Sequence, residues 1–343
     1  MKRHKVYLLI LIVLIFSTIL AGCDYQISYI PKDYTNKLRV HFIDVDQGDS
    51  TFIQFPNGKT SLIDAGTRKA GDKVVNYLND LGIKKIDYLI GTHPHEDHIG
   101  GLPKVIKNFD IDKVYMPDKT SNTLIFEELL MEIKKKDLKI TLGKGKDIIM
   151  DEGKLKYSIL APNRDDYSII NDFSIVTKIE YMDNSIIIAG DAEKDSEKDM
   201  IDKGYDLKSD ILRIGHHGGS TSSIKEFLDR VDPDYSIISV GKGNSYGHPH
   251  KETLNRLNKI GTQIKRTDQL GDIVLISDGK ELTFSESSTL ENRVKAQYIG
   301  NKNTQVFHRN NCNSLPNKEN QIIFKSIEEA KNSKYRPHKV CIE

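Results

Sequence analysis

Residues 92–101 read Thr-His-Pro-His-Glu-Asp-His-Ile-Gly-Gly, which sets His93, His95, Asp97 and His98 in an HxHxDH spacing. Imidazole and carboxylate together suit zinc, manganese or iron, and their closeness on one segment lets several converge on one small volume. The apolar run Ile86 to Ile90 directly before them reads as a short buried strand. The cluster therefore falls at a strand's C-terminal end, where α/β sheets build their sites.

Other chemistry-bearing residues recur in the same kind of place. Ser61 to Ile63 runs into Asp64-Ala65-Gly66, and Ser185 to Ala189 runs into Gly190-Asp191. Asp210 to Ile214 ends in Gly215-His216-His217-Gly218-Gly219-Ser220, and Ser236 to Val240 leads to Tyr246-Gly247-His248-Pro249-His250. Of eleven histidines, His4 and His41 stand apart, and the other nine fall into four groups: 93/95/98, 216/217, 248/250 and 308/338. His41, inside a strand, reads as structural.

The elements that must position these groups are short. Leu38 to Val45, Thr51 to Phe55 and Ser61 to Ile63 read as strands, with Asn57-Gly58 as a hairpin turn. Val74 to Leu81 and Gly100 to Lys107 read as helices around the metal loop, and Ile111 to Tyr115 as a further strand. Leu124 to Lys136 carries apolar residues at helical spacing with a lysine-rich outer face. Leu155 to Leu160, Phe173 to Glu180 and Gly271 to Ser277 complete the strands expected in the second half. Ser285 to Lys295, rich in Ser and Glu, reads as a linker to a small unit beginning at Gln297.

The chain has 343 residues, 38% hydrophobic and 29% charged, room for one large domain and a small one. Lys2, Arg3 and Lys5 precede an apolar run and then Leu20-Ala21-Gly22-Cys23, the pattern of a secretory signal over residues 1–22 followed by a tether over 23–36. Without residues 1–22, 47 of the 50 basic residues remain against 49 acidic ones, so there is no global footprint for a polyanion. Residues 37–285 are net acidic by five, whereas 297–343 hold eight Lys and Arg against four acids. Cys23 apart, the cysteines are Cys312 and Cys341, so the large domain must hold together by its core.

These motifs, from His41-Phe42-Ile43-Asp44-Val45-Asp46-Gln47-Gly48-Asp49-Ser50 to Tyr246-Gly247-His248-Pro249-His250, together resemble the metallo-β-lactamase superfamily. More narrowly, they resemble the extracellular hydrolase domain of the ComEC family of DNA-uptake competence proteins. The resemblance covers residues 37–285 and implies an αββα sandwich with metals at one edge between two sheets. It implies that His93 and His95 hold one ion, Asp97 and His98 another, that Asp191 bridges them, and that one of His216 and His217, with His217 preferred, completes the second site. His216 would then contact substrate or water, Asp64 would orient the metal loop by hydrogen bonds, and His248 would lie near the substrate phosphate. Two departures stand out. No histidine lies between His98 and His216, where many two-metal members have a further ligand, so either one or two zinc or manganese ions fit. Asp46 replaces the glycine usual in the family's opening motif.

The expectation is a metal-dependent hydrolase, a phosphodiesterase or nuclease acting on DNA, with Asp97 doubling as a proton acceptor if the second metal is absent. Hydrolysis of another ester or lactam, by a phosphocholine esterase, lactonase or β-lactamase, is the competing enzyme reading. A surface binding protein with a vestigial metal site is the other. Leu-Ala-Gly-Cys resembles the lipobox of bacterial lipoproteins, implying that Cys23 carries a lipid on the outer face of the cell membrane. A simple signal anchor is the alternative, and a membrane channel protein is a candidate partner.

The tail, 297–343, resembles the metal-binding module of Ada repair proteins, implying a zinc site made by His308, Cys312, His338 and Cys341. A Cys312–Cys341 disulfide and a disordered basic tail compete with it. The disulfide leaves both histidines unexplained, and a unit this small needs some staple to fold. Its charge of +4 would help hold an anionic substrate.

Overall fold

The computed structural model describes residues 36–286, 298–309, 312, 314–324 and 327–342. The signal, Cys23, the tether through residue 35, residues 287–296 of the expected linker and residue 297 at the start of the tail lie outside the described residues. Among the described residues no helix is long and apolar enough to cross a membrane.

Two mixed sheets form the large domain. The first has eight strands in the order β15-β14-β1-β2-β3-β4-β5-β6: β1 (Leu38–Phe42), β2 (Thr51–Gln54), β3 (Thr60–Ile63), β4 (Lys85–Ile90), β5 (Asp110–Met116), β6 (Ile140–Leu142), β14 (Ile273–Ser277) and β15 (Leu282–Glu286). The second has seven, in the order β13-β12-β11-β10-β9-β8-β7: β7 (Ile148–Glu152), β8 (Leu155–Ala161), β9 (Val176–Tyr181), β10 (Asn184–Ile188), β11 (Ile211–Arg213), β12 (Tyr235–Ile238) and β13 (Gln263–Arg266). Each sheet is antiparallel in one half and parallel in the other. The parallel halves, β3-β4-β5-β6 and β10-β11-β12-β13, place successive strand C-termini at one edge.

Neighbouring residues in a strand point to opposite faces, and the sequence makes both faces apolar. Ile63, Ile90 and Ile188 join Val40, Phe42, Tyr157 and Ile179 in a core between the sheets. Leu62 and Leu89, one residue earlier, pack outward against Val74 and Leu78 of α1 (Gly71–Asp80), Val105 of α3 (Leu102–Asn108) and Leu129 of α4 (Leu124–Lys135). Ile187, Leu212 and Ile238 do the same against Met200 of α5 (Lys194–Asp202), Phe227 of α6 (Lys225–Val231) and Leu257 of α7 (Lys251–Ile260). The result is four layers, α, β, β and α. The metal segment is only half loop, because Glu96–Ile99 forms a one-turn helix, α2. β15 runs through Glu286, so the strand takes in the start of the stretch expected as linker.

His41 is buried as a structural group, hydrogen-bonded to Tyr77 Oη (2.9 Å) and Gln54 Oε1 (3.2 Å), and burial holds its pKa down to about 4. The tail forms a separate four-stranded sheet in the order β18-β16-β17-β19, from β16 (Tyr298–Asn301), β17 (Val306–Arg309), β18 (Gln321–Phe324) and β19 (Arg336–Pro337). Its buried centre is Phe307, Phe324, Ala330 and Ile342.

Candidate metal centre

The strand ends of both sheets bring Asp97, His98, Asp191 and His217 together, with one ligand atom from each within 4.8 Å of the others. Asp97 and His98 follow β4, Asp191 follows β10, and His217 follows β11. Asp191 Oδ2 lies 3.2 Å from His98 Nε2, 3.6 Å from His217 Nε2 and 3.9 Å from His93 Nε2. His217 Nε2 is also 3.1 Å from Asp97 Oδ2.

The residues behind this quartet fix which nitrogen faces it. Asp64 accepts hydrogen bonds from Thr92 N (2.8 Å) and Thr92 Oγ1 (2.6 Å), and its Oδ2 lies 2.7 Å from His98 Nδ1. A proton on Nδ1 is therefore bound to Asp64, which leaves Nε2 turned toward Asp191, where a bound cation would take the place of its proton. Likewise His217 Nδ1 donates to the Ser239 carbonyl (3.1 Å), freeing Nε2 for the centre. Ser174 Oγ accepts from Asp191 N (3.1 Å) and lies 3.3 Å from His93 Nδ1.

His93 and His95 are close but turned to each other, with His93 Nε2 2.9 Å from His95 Nδ1. His216 is held by Glu193, whose Oε1 is 2.9 Å from its Nδ1, and so stands beside the quartet rather than in it. His248 borders the centre, its ring 5.2 Å from that of His216 and 6.0 Å from that of His217, and its buried Nδ1 has no partner.

Burial opposes charge on every one of these groups, and their neighbours overrule it selectively. For His98, Asp191, Asp64 and Asp97 outweigh desolvation and hold the imidazole well above its usual range. Asp191, fully buried, is kept well below the usual carboxylate range by His98 and His217. Asp97 is lowered in the same way by His98 and His217. His93 has no such excess of carboxylates, so burial and His98 push it down. Burial and the three neighbouring histidines, 216, 217 and 250, lower His248 to about 4.

The backbone is strained at the same places. Asp64, His216 and His217 have φ of 57°, 49° and 52°, a region L residues with side chains avoid at a cost of about 1–3 kcal/mol each. Asp46 also sits there, at 60°, which accounts for the glycine usual at that position: aspartate tolerates the conformation that glycine adopts freely. At Gly48 a Cβ would fall 2.5 Å from the Asp97 carbonyl, so the 47–49 turn can back the metal loop only without a side chain.

Two residues were not singled out from sequence. Arg213, fully buried at the end of β11, ion-pairs with buried Asp49 and donates from Nη1 to the Gly190 carbonyl (2.5 Å). Asp49 in turn lies 3.7 Å from His98 Nδ1 and 3.8 Å from His217 Nδ1, and its backbone N–H donates to the Asp97 carbonyl (3.0 Å). The pair thus ties the loops after β1, β4, β10 and β11 together. Asp49 stands in the quoted opening motif, which was the available signal.

The donor set fits a divalent cation. Carboxylate and imidazole atoms converge, and His98 Nε2 and Asp191 Oδ1 are buried there without a hydrogen-bond partner. In the tail, His308 Nδ1 lies 3.4 Å from Cys312 Sγ, Cys312 Sγ 3.6 Å from His338 Nδ1, and His338 Nδ1 3.3 Å from Cys341 Sγ. All four ligand atoms fall within 4.8 Å of one another and both cysteines are free thiols, the arrangement of a tetrahedral N2S2 site.

Comparison with known proteins agrees with both regions. The family model described as the metallo-beta-lactamase superfamily matches residues 43–242, and that described as the metal binding domain of Ada matches 291–343. ComE operon protein 3 of Bacillus subtilis is 32% identical over 72% of this chain and 34% of its own length. Recombination protein 2 of Haemophilus influenzae is 28% identical over 76% of this chain and 32% of its own. Competence protein ComA of Neisseria gonorrhoeae is 28% identical over 74% and 34%. The chain thus spans about a third of the length of these relatives.

Proposed function

The chain belongs to the metallo-β-lactamase superfamily and carries an Ada-like metal-binding module; from that premise we propose that it is a metal-dependent phosphodiesterase acting on DNA. The observation that carries the reading is the convergence of Asp97, His98 and His217 on buried Asp191 at the shared edge of the two sheets. The names of its relatives, given for competence and recombination, support DNA as the substrate.

Asp97, His98, Asp191 and His217 would hold one ion, and His93 and His95 with Asp191 a second. An ion bound there supplies Lewis acidity and lowers the pKa of water to about 7. Asp64 and the Ser239 carbonyl keep the Nδ1 protons of His98 and His217 away from the centre. Asp97 is the more open carboxylate, its side chain 33% exposed against 3% for Asp191, and with only the His93 and His95 ion in place it is the one free to take a proton from attacking water. His248, at the border of the centre, is the residue placed near the substrate phosphate, and Glu193 fixes His216 beside it. The basic tail adds attraction for a polyanion to a net acidic domain.

The test is cleavage of plasmid DNA, oligonucleotides, a phosphocholine ester and a lactone by the full mature chain with manganese or zinc. DNA is expected to be cut, with Asp191→Ala losing both activity and bound metal. Preference for the phosphocholine ester or lactone would transfer the site to another ester, and metal binding without hydrolysis would make it a binding protein. We place the chain on the outer face of the membrane through a lipid on Cys23, with a membrane channel protein as a working partner. Labelled palmitate should enter the wild type and not Cys23→Ala, whereas membrane association without label would favour a signal anchor.

A further inference from the structure

Tyr246 is 67% exposed, among the largest exposures of any apolar side chain in the large domain, yet it sits at the mouth of the metal centre. Its ring lies 5.8 Å from that of His248 with the planes 22° apart, and His248 in turn abuts His216 and His217. Among the described residues His248 is its one ring neighbour, so the outward face is open.

An exposed side chain ordinarily signals a mobile loop, but this loop is fastened. Asn244 Oδ1 accepts from the backbone N–H of Tyr246 (3.2 Å) and of His248 (3.0 Å), while Asn244 Nδ2 donates to the carbonyls of Gly241 (3.0 Å) and His248 (2.7 Å). His250 Nδ1 accepts from Ser220 N (3.0 Å), so its proton is on Nε2, which donates to the Tyr246 carbonyl (3.1 Å). The backbone on both sides of the ring is thereby fixed, and the ring is held in water beside the reacting position. Rigid, pre-ordered aromatic surface gains most when a flat partner covers it.

We propose that Tyr246 is the stacking platform for a nucleobase flanking the scissile phosphate, so that the substrate is recognised through its base as well as its charge. The proposal rests on the phosphodiesterase reading and deepens it. Every base has a π face, so such a platform tolerates sequence and selects nucleic acid over phosphodiesters without rings. A quaternary ammonium group, the other ligand for an aromatic face, is held by a cage of several rings, whereas Tyr246 stands with a single imidazole.

The experiment compares an oligonucleotide with one in which a tetrahydrofuran abasic residue replaces the base beside the cleaved phosphate. For the wild type with manganese, kcat/KM should be about 5- to 150-fold higher with the base present. Tyr246→Ala and Tyr246→Leu should bring the two substrates within about twofold, and Tyr246→Phe should keep the preference. In parallel, a 2-aminopurine reporter next to a non-hydrolysable linkage should be quenched on binding wild type and Tyr246→Phe but not Tyr246→Leu. A preference kept by Tyr246→Leu, or an equal loss on both substrates, would overturn the stacking role while leaving the phosphodiesterase reading intact. No cleavage of either oligonucleotide by the wild type would overturn that reading itself. Faster turnover of a phosphocholine ester that depends on Tyr246 would assign the ring to a cation instead.

Discussion

The large domain and the tail each gather histidines with acidic or thiol ligands into one cluster, but they reach it by opposite routes. Asp97 and His217 are separated by 120 residues and meet because three apolar cores hold two sheets and their helices in place. In the tail, His308 to Cys341 span 34 positions, and among the described residues the buried centre beneath them is Phe307, Phe324, Ala330 and Ile342, with Tyr298, Ile327 and Tyr335 packed partly buried against it. A core of that size does not offset the chain entropy of such a unit. In the first region the fold makes the site, and in the second the site makes the fold.

Metal removal should separate the two most sharply. Structural zinc in small Cys/His modules contributes about 10–16 kcal/mol, which is folding energy because the apo site does not pre-exist. A strong chelator added to the full chain should therefore abolish amide-exchange protection in β16 to β19 and leave that of β1 to β15 nearly unchanged. Loss of protection in both regions together would show that the large domain also folds around its metal. Protection of the tail that survives chelation but falls with reductant would replace zinc by a disulfide.

The second break concerns what holds the large domain's edge together without metal. Arg213→Met leaves Asp49 buried without its cation, and removing one partner of a buried ion pair costs roughly 3–5 kcal/mol. Urea unfolding should show that loss, and adding Asp49→Leu should recover much of it because the orphaned charge is then gone. A single variant as stable as wild type would mean that His98 and His217, 3.7 and 3.8 Å from Asp49, already balance its charge.

The residues legible in the sequence are those whose chemistry is local. The HxHxDH segment, Asp64, Asp191 and His217 all follow apolar runs closely, so their strand-end placement follows from periodicity. The buried Arg213–Asp49 pair is not of that kind, because 164 positions separate the partners and only the packing of β11 against the loop after β1 joins them. Strands also escaped where a half-exposed edge gives no clean alternation: β6 is nowhere fully buried, and β7 buries only Ile149 and Met150. The helices over the second sheet were missed for brevity of pattern, α6 offering only Phe227, Leu228 and Val231. In the tail the four ligands were legible, and the sheet that carries them was not.

The mildest break tests how far ligand orientation, rather than ligand presence, sets the large domain's metal affinity. Asp64 touches no ion in the proposed arrangement; it binds Thr92 twice and His98 Nδ1 once. Asn in its place keeps the shape but has one acceptor oxygen, so an amide N–H must face either Thr92 or His98. If it faces His98, the imidazole proton moves to Nε2 and points at Asp191, occupying the position a cation needs. Loss of such an orienting partner typically weakens metal binding 10- to 100-fold. Asp64→Asn should therefore bind manganese more weakly by about that factor in chelator competition, with activity returning at raised metal concentration. Asp191→Ala should not be rescued in this way. Affinity equal to wild type would mean that the backbone strain at residue 64, unchanged by Asn, suffices to hold the loop.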